Sequence, residues 1–414
     1  MSSEYKYPSW LPVEQSKDFV ESYGLGLLFS ANVFGAGSVY ILSNTGAQFG
    51  FALLWTMPLA LFVDLSMHEM SGRLATIDEP LMEYIASAIG STPAKALSVL
   101  IAFVMHFWAI ANYAVGGAAL AWLTPLNNVY LGIILTAGIG VSLVELRVYD
   151  RIEAAIMAII ITVFAIYLVL VAGLDLPIGQ VVEGFKPVLS TELGYMAMVV
   201  SLLGTTVYYP NFFIQSSIQP SKDWTDMAPY RRDNLVGISF VILLSMAVIA
   251  VSAMTLESGV TPTLTSPGEP LQAVLGPAAV TVFVLAVFLA SFSSATGTLF
   301  GAGFMIPQAW GRKTVFGDKA FRRAVEGLIV LSVTFAILLL EFTEMTPVRL
   351  GIVMPGVNGV IGLPITALAL YFANRKFFDH PLWMRVGFAV VTGLMFVMSF
   401  LTARSLYDQI VVWL

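Results

Sequence analysis

The sequence predicts an all-α polytopic membrane protein with eleven transmembrane helices, and three observations carry the prediction. Of its 414 residues, 58% are hydrophobic and 11% charged, where soluble domains run near 45–50% apolar and about 25% charged. A bilayer core about 30 Å thick takes about 20 apolar residues per helix, and the chain supplies eleven such runs. Finally, 17 of the 20 Lys and Arg residues fall in alternate connections, as positive charge retained on the cytoplasmic side requires. With a mean hydropathy of +0.84, the composition excludes a disordered chain, a nucleic-acid binder with a basic face and a water-soluble enzyme. Cysteine is absent, which removes disulfides, thiolate nucleophiles and Cys-based metal sites.

The elements follow in order. Residues 1–21 carry Glu4, Lys6, Glu14, Lys17, Asp18 and Glu21 without an apolar run, so they read as a cytoplasmic segment with no cleavable signal. Spans near 22–48, 51–71, 97–122, 127–145 and 151–173 form a first group of five, residues 22–173. A second group, residues 194–373, holds spans near 194–217, 234–255, 272–306, 324–342 and 347–373. An eleventh, near 383–411, lies in the final segment 383–414. An amphipathic piece from Pro80 to Gly90 separates the second and third spans. Only Lys186, Arg349 and Arg404 fall outside the cytoplasmic connections, and the stretch from Glu257 to Glu269 is acidic with no basic residue. An odd number of spans then places the C-terminus on the extracytoplasmic side of a cell (inner) membrane.

Two spans are interrupted where a simple anchor would not be. The first reads Ala31-Asn32-Val33-Phe34-Gly35-Ala36-Gly37-Ser38, and the sixth, five spans on, reads Gly204-Thr205-Thr206-Val207-Tyr208-Tyr209-Pro210-Asn211. Either break alone is equally well explained by small residues at a helix contact or by a proline kink. At corresponding positions of two halves, they mark an inverted-repeat transporter with its site near the midplane. The candidate substrate-binding residues are therefore Asn32, Gly35, Ala36, Gly37, Ser38, Gly204, Thr205, Tyr208, Tyr209 and Asn211, with Asn358 from the irregular run Met354 to Gly359 of the tenth span. In the eighth span, Ser293 and Ser294 lie in a dense hydroxyl run, Ala290 to Thr296. They read either as back-bonded helix hydroxyls or as a site for a coupling cation.

Charged groups inside the spans carry two readings each. His106, beside Trp108 and Asn112 in the third span, is a packing histidine or a proton-coupling group. Asp64, His68 and Glu69 end the second span and read as solvated or paired interfacial groups, with an inner gate as the alternative. Glu145, Arg147, Asp150, Arg151 and Glu153 read as a salt-bridged cytoplasmic turn.

These residues resemble the NRAMP family of divalent-metal transporters over nearly the whole chain. The resemblance rests on Gly46-Ala47-Gln48-Phe49-Gly50 with Leu53-Leu54-Trp55, Gly204-Thr205-Thr206-Val207, Gln215-Ser216-Ser217, the Ala290 to Ser294 run and Arg322-Arg323. It implies the fold of the sodium-coupled amino-acid transporters, a LeuT-like (APC-type) architecture of two inverted five-helix repeats with helices 1 and 6 broken. The departures are as informative. Where the family carries Asp-Pro-Gly-Asn the chain has Gly35-Ala36-Gly37-Ser38, and where it carries Met-Pro-His the chain has Tyr208, Tyr209 and Pro210. Acidic residues of the family's third helix match Ala111 and Ala114. Gly35-Ala36-Gly37 looks like the Gly-x-Gly break of amino-acid transporters, where backbone amides receive a carboxylate and eighth-helix hydroxyls help bind sodium.

The substrate expectation follows from charge. Between Asn32 and Ser38, and between Gly204 and Asn211, there is no Asp, Glu, His or Met. Neutral oxygens alone would have to offset the dehydration of a dication, where one buried charge already costs several kcal/mol. Half-helix N-termini suit carboxylates instead. The expectation is a secondary transporter of a small carboxylate-bearing, zwitterionic or anionic solute, coupled to Na⁺ or H⁺ and using no other cofactor. The alternative is Mg²⁺ or Mn²⁺ transport through a rebuilt, hydrated site. No nucleic-acid partner is expected, and the lipid bilayer is the one macroscopic partner the composition demands.

Overall fold

A computed structural model describes residues 23–413 apart from 24, 27, 28, 31, 78–80, 147–161, 163, 189, 191, 192, 219–223, 225, 313, 315 and 316. The described residues are helical with short connections. The described helical residues 23, 25, 26, 29, 30, 32 and 33 (α1) lead across the first break into α2 (Ala36–Phe49), followed by α3 (Thr56–Ala75), α4 (Leu81–Ile89), α5 (Ser91–Leu123), α6 (Val129–Leu146) and α7 (Phe164–Gly173). Next come α8 (Ile178–Gly184), α9 (Leu193–Thr206), α10 (Pro210–Ile218) and α11 (Met227–Thr255). The chain ends with a short α12 (Gln272–Leu275), α13 (Ala279–Ala309), α14 (Lys319–Phe342), α15 (Pro347–Val357), a π-turn at Asn358–Gly362, α16 (Leu363–Phe377) and α17 (Leu382–Trp413).

Seven helical stretches among the described residues are long and apolar enough to cross a membrane. The remaining expected spans fall short of that criterion. The first is split between α1 and α2, α3 carries Asp64, Glu69 and Arg73, α6 is shorter among the described residues, and most of the expected fifth span, 151–161 and 163, lies outside the described residues. The expected second span also shifts. Gly50 takes φ 57°, which ends α2, and residues 51–55 form turns in which Trp55 N–H donates to Gly184 O at 2.8 Å. The helix therefore starts at Thr56 rather than at 51. Pro80–Gly90 does contain an amphipathic helix, α4, whose Leu81, Met82, Tyr84 and Ile85 are buried. Of the expected charged turn, 147–153 lie outside the described residues, and Glu145 pairs with Arg322 of α14.

At the centre, α5 lies along α13 in the most extensive helix contact of the molecule, and α5 also packs on α6 and α15. Around this spine α2 packs on α11 and α15, while α9 packs on α15 and α17. The breaks of α1/α2 and α9/α10 thus face one another across the centre. Close approach is possible because Gly204 sits against the tenth span: a Cβ there would lie 2.3 Å from Pro355 O and 2.7 Å from Gly359 N.

Candidate functional site

The first break is a two-residue interruption. Phe34 N–H still donates to Ser30 O, but Gly35 is extended at φ −76°, ψ 174° and opens α2 as its N-cap without a side-chain cap. Ser38 and Val39 N–H return to Gly35 O at 3.1 and 3.3 Å. The N–H groups of Ala36 and Gly37 are then the ones helix geometry leaves without an intrahelical acceptor. In the second break, α9 ends at Thr206 and α10 opens on Pro210, whose missing N–H and fixed φ suit the first helical position. Asn211 and Phe212 N–H close the turn on Tyr208 O and Tyr209 O.

Side chains tie the two breaks together. Ser38 Oγ lies 2.6 Å from Val33 O, across its own break, and 2.8 Å from Thr205 Oγ1 in the other. Asn32 Nδ2 donates to Asn211 Oδ1 at 3.2 Å, and Asn211 Nδ2 donates to Phe29 O at 3.1 Å. Each such bond contributes about 0.5–1.5 kcal/mol net, and leaving a buried partner unmade costs more. The third and eighth spans close the site. Trp108 Nε1 donates to Ser294 Oγ at 2.8 Å, and Ser294 Oγ donates to Asn32 O at 3.2 Å. Tyr208 OH meets Thr298 Oγ1 and Ser294 O, and its ring packs edge-on against Trp108 at 5.1 Å. Tyr209 turns the other way, donating at 2.8 Å to Asn358 Oδ1 on the π-turn.

Gly35 carries the tightest constraint. A Cβ there would lie 2.5 Å from Ser294 Oγ, 2.6 Å from Ser294 Cβ and 3.0 Å from Asn112 Oδ1. Any side chain would have to displace the eighth span, so the space beside the break already belongs to Ser294, Trp108 and Asn112.

Asn32, Asn211, Ser294 and Tyr208 therefore form one network with Gly35 against Ser294; Ser38 and Thr205 pair across the two breaks beside it, and Gly37 and Gly204 lie against the tenth span, where Asn358 accepts from Tyr209. Ala36 lies at the first turn of α2 by its backbone. Ser293 is buried beside Ser294 with an Oγ that makes no hydrogen bond among the described residues. His106 sits apart, bonded through Nδ1 to Ser332 of α14 at 2.8 Å and packed against Phe103, Phe107 and Phe335. Trp108 and Thr298 were not singled out as site residues by sequence reasoning. The available signal for Trp108 is that a buried indole needs an acceptor, and the one it finds is Ser294.

Of the expectation of solvated or paired end groups, Asp64 and His68 depart from solvation, being 2% and 1% exposed, and face each other at 3.7 Å. Glu69, in contrast, is paired with Arg73 and Arg231 at the helix end. The physical reason is that α3 packs on α10 and α11 beyond the expected interface, so its inward-facing residues stay covered.

A family model described as natural resistance-associated macrophage protein-like (Nramp) matches residues 26–407. The chain belongs to the Nramp family. A divalent metal cation transporter MntH of Deinococcus radiodurans is 25% identical over 298 residues, covering 67% of this chain and 68% of that one. The manganese transporter of Eremococcus coleocola superposes with a TM-score of 0.74 at 16% identity over 98% of this chain and 90% of its own. MhsT, solved in complex with L-phenylalanine, superposes with a TM-score of 0.60 at 15% identity over 92% and 98%. The architecture is thus the LeuT-like one, and this Nramp member is a multi-pass secondary transporter.

Proposed function

We propose that this Nramp transporter carries a small non-metal solute bearing a carboxylate, by alternating access around the two breaks. The observation that carries the reading is Gly35: the family's metal carboxylate has neither the residue nor the room, because Ser294 fills the direction of its Cβ. The uncapped N-terminus of α2 offers N–H donors and the positive end of a helix dipole to an anion. Asn32, Ser38, Thr205 and Asn211 line the breaks with neutral donors and acceptors. Ser293 and Ser294, with the Asn32 carbonyl, supply oxygens for a coupling Na⁺. The basic-residue distribution supports a cytoplasmic N-terminus and an extracytoplasmic C-terminus, which reporter fusions at both ends check.

The test is uptake by proteoliposomes of radiolabelled amino acids and small organic acids, with and without a Na⁺ or H⁺ gradient. Saturable uptake of one of these solutes, undiminished by excess Mn²⁺, is the expected result. A second reading, Mg²⁺ or Mn²⁺ transport, draws on the metal transport of the named relatives and on Asn32 Oδ1 and Asn112 Oδ1, buried oxygens without a hydrogen-bond partner near the break. Saturable Mn²⁺ uptake with no solute moving would establish it and remove the first.

A further inference from the structure

Beside the second break lies a narrow crevice lined by Phe29, Ser30 and Val33 of α1, Asp64 and His68 of α3, Thr206 and Asn211 of the break, and Ile238 and Val241 of α11. It leaves no room for a water molecule, yet it contains a carboxyl group and an imidazole. His68 Nδ1 lies 3.0 Å from Gln215 Oε1 on α10 and 3.1 Å from Tyr230 OH on α11. Tyr230 OH in turn donates to His68 O at 3.2 Å. An amide oxygen only accepts, so Nδ1 carries the imidazole proton and, in the neutral ring, Nε2 is a bare acceptor. That acceptor faces Asp64 Oδ1 at 3.7 Å, and Asp64 Oδ1 has no hydrogen-bond partner among the described residues. Two acceptors confront each other in a dry crevice, which is one proton short of a bond.

We propose that Asp64 and His68 form a one-proton site that couples the crevice to the transport cycle. Resting on the transporter reading above, the proposal adds this pair as a proton site distinct from the Ser293–Ser294 cation site. One proton from the aqueous phase, bound on Asp64 Oδ1 or His68 Nε2, joins the two as a hydrogen bond; its release returns a carboxylate and a neutral imidazole that repel across the crevice. The placement ties this step to moving parts. The His68 ring packs on Phe29 of α1 at 5.2 Å and on Phe212 of α10 at 4.7 Å, and Ser71 donates to Phe212 O one turn on. His68 therefore holds both half-helices that flank the breaks. The other titratable groups facing the pair are Tyr230 and Asp233 of α11, with Glu69, Arg73 and Arg231 forming an ion-paired cluster beyond and His380 past it, next to Arg385 and Asp379. The described parts of α1, α9 and α10 bring no charged residue to it.

The chain has three histidines and no cysteine, so both labels can be placed cleanly in the full-length protein in lipid. In ¹⁵N-histidine-labelled protein the resonance removed by His68→Gln identifies His68. Between about pH 5.5 and 8.5, the window a histidine pair reports, His68 Nε2 is expected to pass from hydrogen-bonded to bare, and Asp64→Asn to abolish the transition. A single Ile238→Cys reports the crevice: alkylation, normalised at each pH to the same cysteine in the unfolded protein, is expected to rise about tenfold across that range. In the Asp64→Asn background it should stay low at both ends, because the amide donates permanently to Nε2. The pH titration itself is read on the unsubstituted protein, with His68→Gln used only to assign the resonance, and neither readout needs substrate, so failure of the uptake assay leaves both standing. A His68 signal that does not change with pH, alkylation equal at both pH values, or a change driven by Na⁺ at fixed pH would each overturn the proposal.

Discussion

The break at Gly35 and the crevice at Asp64 are neighbours built on opposite principles. At the break, every group of the Asn32–Asn211 and Ser38–Thr205 links is neutral. In the crevice a carboxyl and an imidazole face each other without a bond. The difference teaches where this transporter keeps its charge. Neutral groups can release a bound solute without leaving an uncompensated ion in a low-dielectric cavity, while titratable groups nearby can take a driving charge without competing for the substrate's place.

The comparison breaks most severely at Gly35→Asp. The Cβ clash with Ser294 is expected to cost about 1–3 kcal/mol before any charge is counted, and uptake of every solute should vanish; gain of Mn²⁺ uptake would show that the break can accept a charge after all. Asp64→Asn is next: the protein should remain folded by size-exclusion chromatography while the pH dependence of uptake flattens. Thr205→Val sharpens the neutral side. It leaves Ser38 with Val33 O alone, which should cost about 1 kcal/mol, lower the melting temperature by a few degrees and raise KM more than it changes kcat. His106→Gln is expected to have the smallest effect. Because His106 faces Ser332 and Phe335 rather than either break, thermal stability should fall slightly and the pH profile of uptake should not move.

The helical membrane architecture was legible in the sequence because apolar runs and basic-residue placement are properties of composition along the chain. So were the breaks: Gly35 and Pro210 announce themselves locally. The pairing of partners was not, since Trp108 with Ser294 and Tyr208 with Thr298 join residues 186 and 90 positions apart, and no period in the sequence encodes which faces meet. Nor was the start of the second span, because Gly50 ends α2 and the turns at 51–55 are tied to Gly184, which comes from a distant segment. His68 was placed at an interface for the same reason: its burial depends on Phe29 and Phe212, which come from other segments.

The Ser38 hydroxyl, shared between Val33 and Thr205, sets how firmly the two breaks are held to each other. With the Asn32–Asn211 bond it makes a clasp of about 1–3 kcal/mol in all, a bias of roughly five- to a hundred-and-fortyfold. Thermal agitation parts a clasp of this size, so drawing the two breaks apart requires only that each freed group find one new hydrogen-bond partner.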